Sequence, residues 1–328
     1  MQGTKIRIGI ISTANIGIRS MVPSILDLSN NFQLVGIAGR NIEKTKKVAH
    51  ELNIAAFESY NSLIDKKIVD AVYVPLPNSL HFEWVRKALK EGLHVLVEKS
   101  LGCSLEEVDW LNKYAAEKNL ALLENFQFRF HNQLAFIKKL LKDGFIGELR
   151  SLRSSFGFPG FVDESNIRYK KELGGGSLLD AGAYTIKVAQ EFLGNDLTVS
   201  AGSLFVNKEK GIDMYGGGFL KQKNGDLYAQ VSFGFDNYYQ CNLELWGSKG
   251  KIYTNRIFTA RADHQPEIVV ETNGADMEIL RLETDDHFKK MLIYFYNLIE
   301  GKENKEKEYL QNVNQARLIE ELKNKAYA

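Results

Sequence analysis

At 328 residues, with 44% hydrophobic and 25% charged side chains, the chain has the composition of a soluble globular protein and is long enough for two domains rather than one. Its 42 basic and 41 acidic side chains leave a formal charge of +1, which offers no general attraction to nucleic acid or to an anionic membrane. Two cysteines, Cys103 and Cys241, without CxxC or zinc spacing suit a reducing compartment, and an N-terminus that runs straight into an apolar strand, with no membrane-length apolar run behind it, points to the cytoplasm.

Ile6 to Ile11 is a β-rich apolar run broken only by Arg7; STANIG follows, then a helical pattern through Ile18, Met21 and Ile25 that accepts Pro23 as a local kink. Strand, tight turn, helix is the opening of a dinucleotide-binding unit. The turn departs from GxGxxG, because Ser12, Ala14 and Gly17 stand at the glycine positions, but small residues still let the backbone approach a pyrophosphate at a helix N-terminus. Ser12, Thr13, Ala14, Asn15 and Ile16 are therefore the expected pyrophosphate turn. Phe32 to Ala38 reads as the second strand and ends in Gly39, Arg40 and Asn41, with no acidic residue for a ribose 2′-hydroxyl. An arginine there accommodates a 2′-phosphate, so Arg40, helped by Lys44, favours NADP, with NAD the alternative. The bland reading of Arg40 is a surface arginine opening the next helix, Glu43 to Leu52.

Asp70 to Pro77 is a buried-looking strand followed by Asn78, and His81 begins a helix closed by Gly92. His94 to Val97 is a further strand ending in Glu98, Lys99 and Ser100; Ser104 and Glu107 form a capping box for the next helix, and Leu120 to Glu124 supplies another strand. Five or six strands alternating with helices over short connections predict an α/β Rossmann domain, a doubly wound parallel sheet, over residues 1–124. Ligands of such sheets bind beyond the strand carboxyl ends, where Ser12, Arg40, Asn78, Lys99 and Asn125 fall. Leu76, His81 and Glu98 complete the expected cofactor wall; the alternative for a lone His81 is a structural partner of a backbone carbonyl.

From Asn132 a helix leads into a different texture, with long strands and few helices: 149–158, 198–206, 213–220, 227–235, 239–246, 251–255, 267–271 and 277–282 all read as β. Residues 125–328 are expected to form an α+β domain with a large, mostly antiparallel open sheet, its final helices, 286–299 and 311–326, packing back on the body. The charged run Gly301 to Tyr309 reads as a solvated loop. Of the dense aromatics, Phe156, Phe158, Phe161, Phe235, Tyr238, Tyr239 and Trp246, some form core and others bury a subunit interface or stack on a ligand ring, so a homodimer or homotetramer is expected. The stretch ELGGGSLLDAGAYTIK, Glu172 to Lys187, joins a triple glycine to a helix with Asp180, Tyr184 and Lys187 at helical spacing, three polar groups on one face. The histidines show no HExxH or paired metal spacing, so no metal is expected.

The N-terminal strand and turn, VYVPLPNSLH (Val72 to His81), HVLVEKS (His94 to Ser100) and LGGGSLLDAGAY (Leu173 to Tyr184) together resemble the Gfo/Idh/MocA oxidoreductases over essentially the whole chain. The resemblance implies a nicotinamide-dependent enzyme with Lys99, the lysine of the family's EKP, at the active site and Tyr184 beside the substrate. Two departures stand out. Tyr184 replaces the histidine of DxGxHxxD, which together with NIRY at Asn166 to Tyr169 is similar to the branch of glucose-fructose oxidoreductase, dimeric dihydrodiol dehydrogenase, xylose dehydrogenase and NDP-sugar 3-ketoreductases; Ser100 replaces the usual proline and removes a rigid φ beside Lys99. A phenol is a poor base at neutral pH until a neighbouring ammonium stabilises its phenolate, so Tyr184 as proton carrier and Lys99 as its partner make sense together, with reversed roles the alternative. Asp180 either supports catalysis or caps its helix, Arg168 is a candidate for phosphate or cofactor, and Lys187 either pairs with Asp180, meets an anionic substrate or sits at the domain edge. The leading expectation is an NADP(H)-dependent ketoreductase acting on a sugar or NDP-sugar. A free-sugar or trans-dihydrodiol dehydrogenase is the enzymatic alternative, and a non-catalytic cofactor-sensing regulator the alternative of another class.

Overall fold

The computed structural model describes residues 4–327, so the outermost residues of the two expected domains, 1–3 and 328, lie outside the described residues. The chain forms two compact units: one runs to Asn125 and also takes in Phe288–Val313, the other comprises Phe126–His287 and the segment from Asn314 onward. The units are thus not two continuous halves of the chain.

The first unit alternates β1 (Ile6–Ile11), α1 (Val22–Asp27), β2 (Phe32–Ala38), α2 (Ile42–Leu52), β3 (Ala55–Phe57), α3 (Tyr60–Leu63), β4 (Ala71–Val74), α4 (Asn78–Lys90), β5 (His94–Glu98), α5 (Leu105–Glu117) and β6 (Leu122–Asn125). The sheet order is β3-β2-β1-β4-β5-β6, with every pairing parallel. Helices cover both faces, which is why β4 (AVYV) is buried at all four positions and reads as an unbroken apolar run. The chain order reverses across β1 and β4, and that reversal opens a crevice at the strand carboxyl ends. Pro23 is accommodated as expected of a local irregularity. The turn before it, Gly17–Met21, is π-helical, with the Val22 N–H reaching Gly17 O, and α1 then starts with the proline where its missing N–H is harmless.

The second unit contains α6 (Asn132–Lys142), β7 (Leu149–Phe158), α7 (Ala183–Leu193), β8 (Leu197–Asn207), β9 (Ile212–Gln222), β10 (Tyr228–Phe235), β11 (Gln240–Gly247), β12 (Gly250–Asn255), β13 (Glu267–Thr272) and β14 (Glu278–Arg281). They form one eight-stranded sheet in the order β14-β13-β12-β11-β7-β10-β9-β8, antiparallel except for β7 with β10. Alternation decides its faces. Along β11, Cys241, Leu243 and Leu245 are buried with Phe156, Val231 and Phe233, whereas Trp246 points outward and is half exposed. Outward too lie Phe205 and Tyr215, stacked at 4.8 Å.

Helices α8 (His287–Ile299) and α9 (Lys305–Ala326) close the chain. The charged run Gly301 to Tyr309, expected as a loop, is mostly the first turns of α9. Asn304 accepts the Glu306 and Lys307 N–H groups and so starts the helix, and the run has a buried side: Glu308 accepts the Tyr294 hydroxyl at 2.8 Å and Tyr309 donates to Leu120 O. Helix α4 likewise starts at Asn78, three residues before His81. Both cysteines are free thiols. Among the described residues no helix is long and apolar enough to cross a membrane.

Candidate active site

The dinucleotide end of the first unit is built from the turn after β1 and the end of β2. Ser12 takes φ 139°, a conformation that L side chains rarely adopt and the reason a glycine is usual there; its hydroxyl oxygen accepts the Ala14 N–H at 3.1 Å and holds the turn. Asn15 and Ile16 lie open to solvent. Gly39 brings the end of β2 against Thr13, since a Cβ there would meet Thr13 Cγ2 at 3.2 Å. The exposed Arg40 follows it, and Asn41 caps α2 by accepting the Lys44 N–H at 3.0 Å. The turn, the arginine and a capped helix thus share one edge, a donor set suited to phosphates.

Lys99 is set by a network at the carboxyl ends of β4, β5 and β6. Glu98, preceding it, accepts the Tyr73 hydroxyl at 2.6 Å and the Asn125 amide at 2.5 Å. Burial pushes the Glu98 carboxyl up, against the pull of those two donors and of the Lys99 charge. Ser100 is buried; its N–H, which the family's proline would lack, donates to Asn78 Oδ1 at 3.2 Å, and its carbonyl lies 2.7 Å from His81 Nδ1. The Leu101 N–H donates to Glu124 at 2.8 Å. The missing proline ring is therefore replaced by hydrogen bonds on both sides of the peptide. His81 is fully buried between two carbonyls, with Nε2 2.7 Å from Leu76 O, and stands between the loop after β4 and the loop after β5. Two buried polar atoms beside this network, Asn125 Oδ1 and Ser79 Oγ, have no protein partner. Orphaned acceptors at strand carboxyl ends fit a polar ligand there, such as a nicotinamide dinucleotide.

In the second unit, the triple glycine folds against NIRY. Gly176 N and Gly175 N donate to Arg168 O and Lys170 O, each at 3.0 Å, and a Cβ on Gly175 would collide with both carbonyls. The helix beyond starts not with its own cap but with Asp213 of β9, which accepts the Ser177 hydroxyl at 2.7 Å and the Leu178 N–H at 2.6 Å. Its first turn, Leu178–Gly182, is π-helical before α7 continues. The even stacking expected of Asp180, Tyr184 and Lys187 is broken by that turn, and the three side chains meet different partners. Asp180, expected as a helper of Tyr184 or a cap, accepts Arg168 Nε at 2.6 Å, so Arg168 faces a carboxylate of its own unit. Tyr184, 9% exposed, stands in a box of Phe126, Phe128, Phe156 and Phe258 with ring centroids 5.3–5.9 Å away, and its hydroxyl lies 3.5 Å from Gln127 Oε1. Lys187 is fully buried, its Nζ 5.4 Å from the Phe126 ring centre, and is not a surface cation.

Tyr73, Glu124, Gln127 and Asp213 escape sequence reading because each acts across 23 or more residues on a partner that no local pattern names. Among the described residues no three His, Cys, Asp or Glu side chains gather as a metal site.

Burial also holds three imidazoles neutral: His81 and His94 are pushed down to about 4 and His287 to about 3, in each case first by desolvation. His94 Nδ1 accepts the Ala121 N–H at 2.9 Å, a bond that protonation destroys. Unfolded imidazoles titrate near 6.5, so on acidification the unfolded chain takes up protons first. Stability present above about pH 6.5 is lost progressively as pH falls through about 4. The urea midpoint is expected to drop between about pH 7 and about pH 5, and His94→Gln should shrink that drop; a flat midpoint would contradict it.

A doubly wound dinucleotide sheet carrying a clamped lysine, joined to an open-sheet unit carrying an enclosed phenol, defines a two-part oxidoreductase. Residues 6–126 match the oxidoreductase family with an NAD-binding Rossmann fold and residues 134–253 match the GFO/IDH/MocA C-terminal domain: the chain belongs to the Gfo/Idh/MocA oxidoreductase family. It is 38% identical over 290 residues, 88% of this chain and 86% of the relative, to a dTDP-3,4-didehydro-2,6-dideoxy-alpha-D-glucose 3-reductase of Saccharopolyspora spinosa. A D-xylose 1-dehydrogenase (NADP(+)) of Haloferax volcanii is 33% identical, with 81% of each chain covered. Among solved structures, a 3-ketoreductase of Actinomadura kijaniata in complex with NADP and TDP-benzene superposes with a TM-score of 0.92 at 34% identity, covering 98% of each chain.

Proposed function

We propose that this chain is an NADPH-dependent ketoreductase of a keto-sugar carried on a nucleoside diphosphate, working in the cytoplasm. The observation that carries it is Tyr184: a phenol enclosed by four aromatic rings and directed toward one amide, on a helix whose start is fixed from another strand, is a proton carrier kept from bulk water. The relatives with 3-reductase activity on dTDP-sugars, matched over most of the chain, supply the substrate class.

Ser12 to Ile16 would hold the pyrophosphate and Arg40 the 2′-phosphate, with Ser79 and Asn125 offering acceptors at the nicotinamide end. NADPH, when bound, supplies the hydride that adds to the carbonyl carbon. Tyr184 gives its proton to the carbonyl oxygen as that oxygen becomes a hydroxyl and is reprotonated from solvent; Lys99, held by the loop that His81, Asn78 and Glu124 clamp, polarises the carbonyl. Asp180, fixed by Arg168, lines the substrate side.

The test follows NADPH and NADH oxidation by absorbance across keto-dTDP-sugars, free keto-sugars and trans-dihydrodiols. Turnover of a keto-dTDP-sugar with NADPH is expected. Turnover confined to free sugars or dihydrodiols would select the dehydrogenase reading, and cofactor binding without turnover on any compound would select the regulator. Arg40→Ala should weaken NADPH binding by about tenfold or more and leave NADH unchanged; an unchanged NADPH affinity would remove Arg40 from the site. The outward face with Phe205, Tyr215 and Trp246 fits self-association into a homodimer or homotetramer, which a monomer in sedimentation at micromolar concentration would exclude.

A further inference from the structure

Asn125 ends β6 and is 1% exposed, yet only half of its amide is used within the protein. Its Nδ2 donates to Glu98 Oε1 at 2.5 Å, whereas its buried Oδ1 meets no hydrogen-bond donor among the described residues. The sense of that amide is fixed by chemistry. Glu98 Oε1 also accepts the Tyr73 hydroxyl at 2.6 Å, so it presents lone pairs to Asn125 as well, and only the Nδ2 end can face it. Turning the amide over would set two acceptor oxygens against each other. Oδ1 therefore points away from Glu98 as a desolvated acceptor, and a ligand that brings an N–H or O–H to it is favoured. Ser79 Oγ, the other orphan here, is less selective, because a hydroxyl serves a donor or an acceptor equally well while Oδ1 can only accept.

The sheet order β3-β2-β1-β4-β5-β6 decides which end of a dinucleotide meets this oxygen. Arg40, proposed for the 2′-phosphate, follows β2, and the pyrophosphate turn follows β1, so the adenosine half lies on one side of the reversal between β1 and β4 and the nicotinamide half on the other. On that second side β6 is three strands from β1, about 14 Å at the usual strand spacing. Asn125 is there paired directly with Glu98, the residue before Lys99. Two kinds of donor exist on the nicotinamide half, the ribose hydroxyls and the carboxamide NH2, and only the carboxamide is attached to the reacting ring.

We infer that Asn125 reads the nicotinamide carboxamide: Oδ1 accepts one of its N–H groups, and Glu98 behind Asn125 ensures that this residue offers an oxygen and not an NH2. This rests on the proposed cofactor. A held carboxamide stops the pyridine ring from turning about its bond to ribose, which fixes the face of the ring that is presented to the substrate carbonyl.

The experiment compares the binding of NADPH with that of its reduced 3-acetylpyridine analogue, in which a methyl group replaces the carboxamide NH2 and nothing else changes; affinity is read by quenching of protein fluorescence. The wild-type protein should bind NADPH about tenfold more tightly than the analogue. Asn125→Ser keeps a hydroxyl that can donate to Glu98 but places no oxygen where Oδ1 stands, and it should reduce the preference to about twofold or less by weakening NADPH and sparing the analogue. Asn125→Ala should do the same, and the wild-type comparison needs no variant, so the test survives if either substitution prevents folding. No preference in the wild type would give Oδ1 to a ribose hydroxyl or a water, and an equal loss of both compounds in the variants would make Asn125 a support of the loops after β5 and β6 only. Either result overturns the inference and leaves the proposed function standing. A wild-type protein that binds neither compound removes the proposed function and the inference with it.

Discussion

Tyr184→Phe is expected to lower kcat for ketone reduction by at least about a hundredfold while leaving the affinity for NADPH within about twofold. The substitution is a clean probe because of what surrounds it. The ring is gripped by Phe126, Phe128, Phe156 and Phe258, and phenylalanine keeps all four edge and tilted contacts. What disappears is one hydroxyl, 3.5 Å from Gln127 Oε1. A urea midpoint measured beside kcat separates a loss of rate from a loss of fold. Steady-state kinetics with a keto-dTDP-sugar give kcat; quenching of protein fluorescence by NADPH gives the affinity. Near-normal turnover with retained cofactor binding would sink the assignment and return the proton to Lys99.

What could be read in the chain and what could not divides along the range of the interactions. The parallel sheet was legible because strands buried on both faces, such as AVYV of β4, must be apolar throughout, and the open sheet because β11 alternates buried and outward residues with period two. The candidate site residues Lys99, Asp180 and Tyr184 stood out from local pattern and family resemblance together. The edge strand β3 did not, since three residues beginning with two exposed alanines carry no periodic signal. The charged run before Tyr309 reads as solvated until Glu308 and Tyr309 are seen to meet Tyr294 and Leu120. The same holds for the site's supports. His81 offered a backbone carbonyl as one partner but nothing in the sequence tells that two carbonyls flank it, Ser100 looked like a weakness because its N–H has its acceptor 22 residues away, and Asp213 looked like any strand residue although it starts the helix of Tyr184. A functional side chain is a local choice, whereas the groups that aim it are chosen by the fold.

That dependence makes Gly175→Ala damaging to stability and activity together. Gly175 has no room for a methyl group: its Cβ would press on the carbonyl oxygen of Arg168 and come within 2.8 Å of that of Lys170, both backbone atoms that cannot swing aside. Relief requires the NIRY segment to move away from the glycine loop, which breaks the bonds from Gly176 N to Arg168 O and from Gly175 N to Lys170 O. Overpacking and the loss of two part-buried hydrogen bonds together are expected to destabilise the protein by about 2–4 kcal/mol, read as a lower urea midpoint. Activity should fall further than stability, because Arg168 carries Asp180 with it through the 2.6 Å pair and the π turn that leads into Tyr184 begins two residues beyond Gly176. The discriminating comparison is Gly194→Ala at the end of α7. Gly194 has φ 87° but nothing within 4 Å of its Cβ, so it should lose stability through backbone strain alone and keep its kcat. Equal loss of kcat in the two variants would mean that the glycine loop matters only as part of the fold; a loss confined to Gly175→Ala ties the loop to the aim of Asp180 and Tyr184.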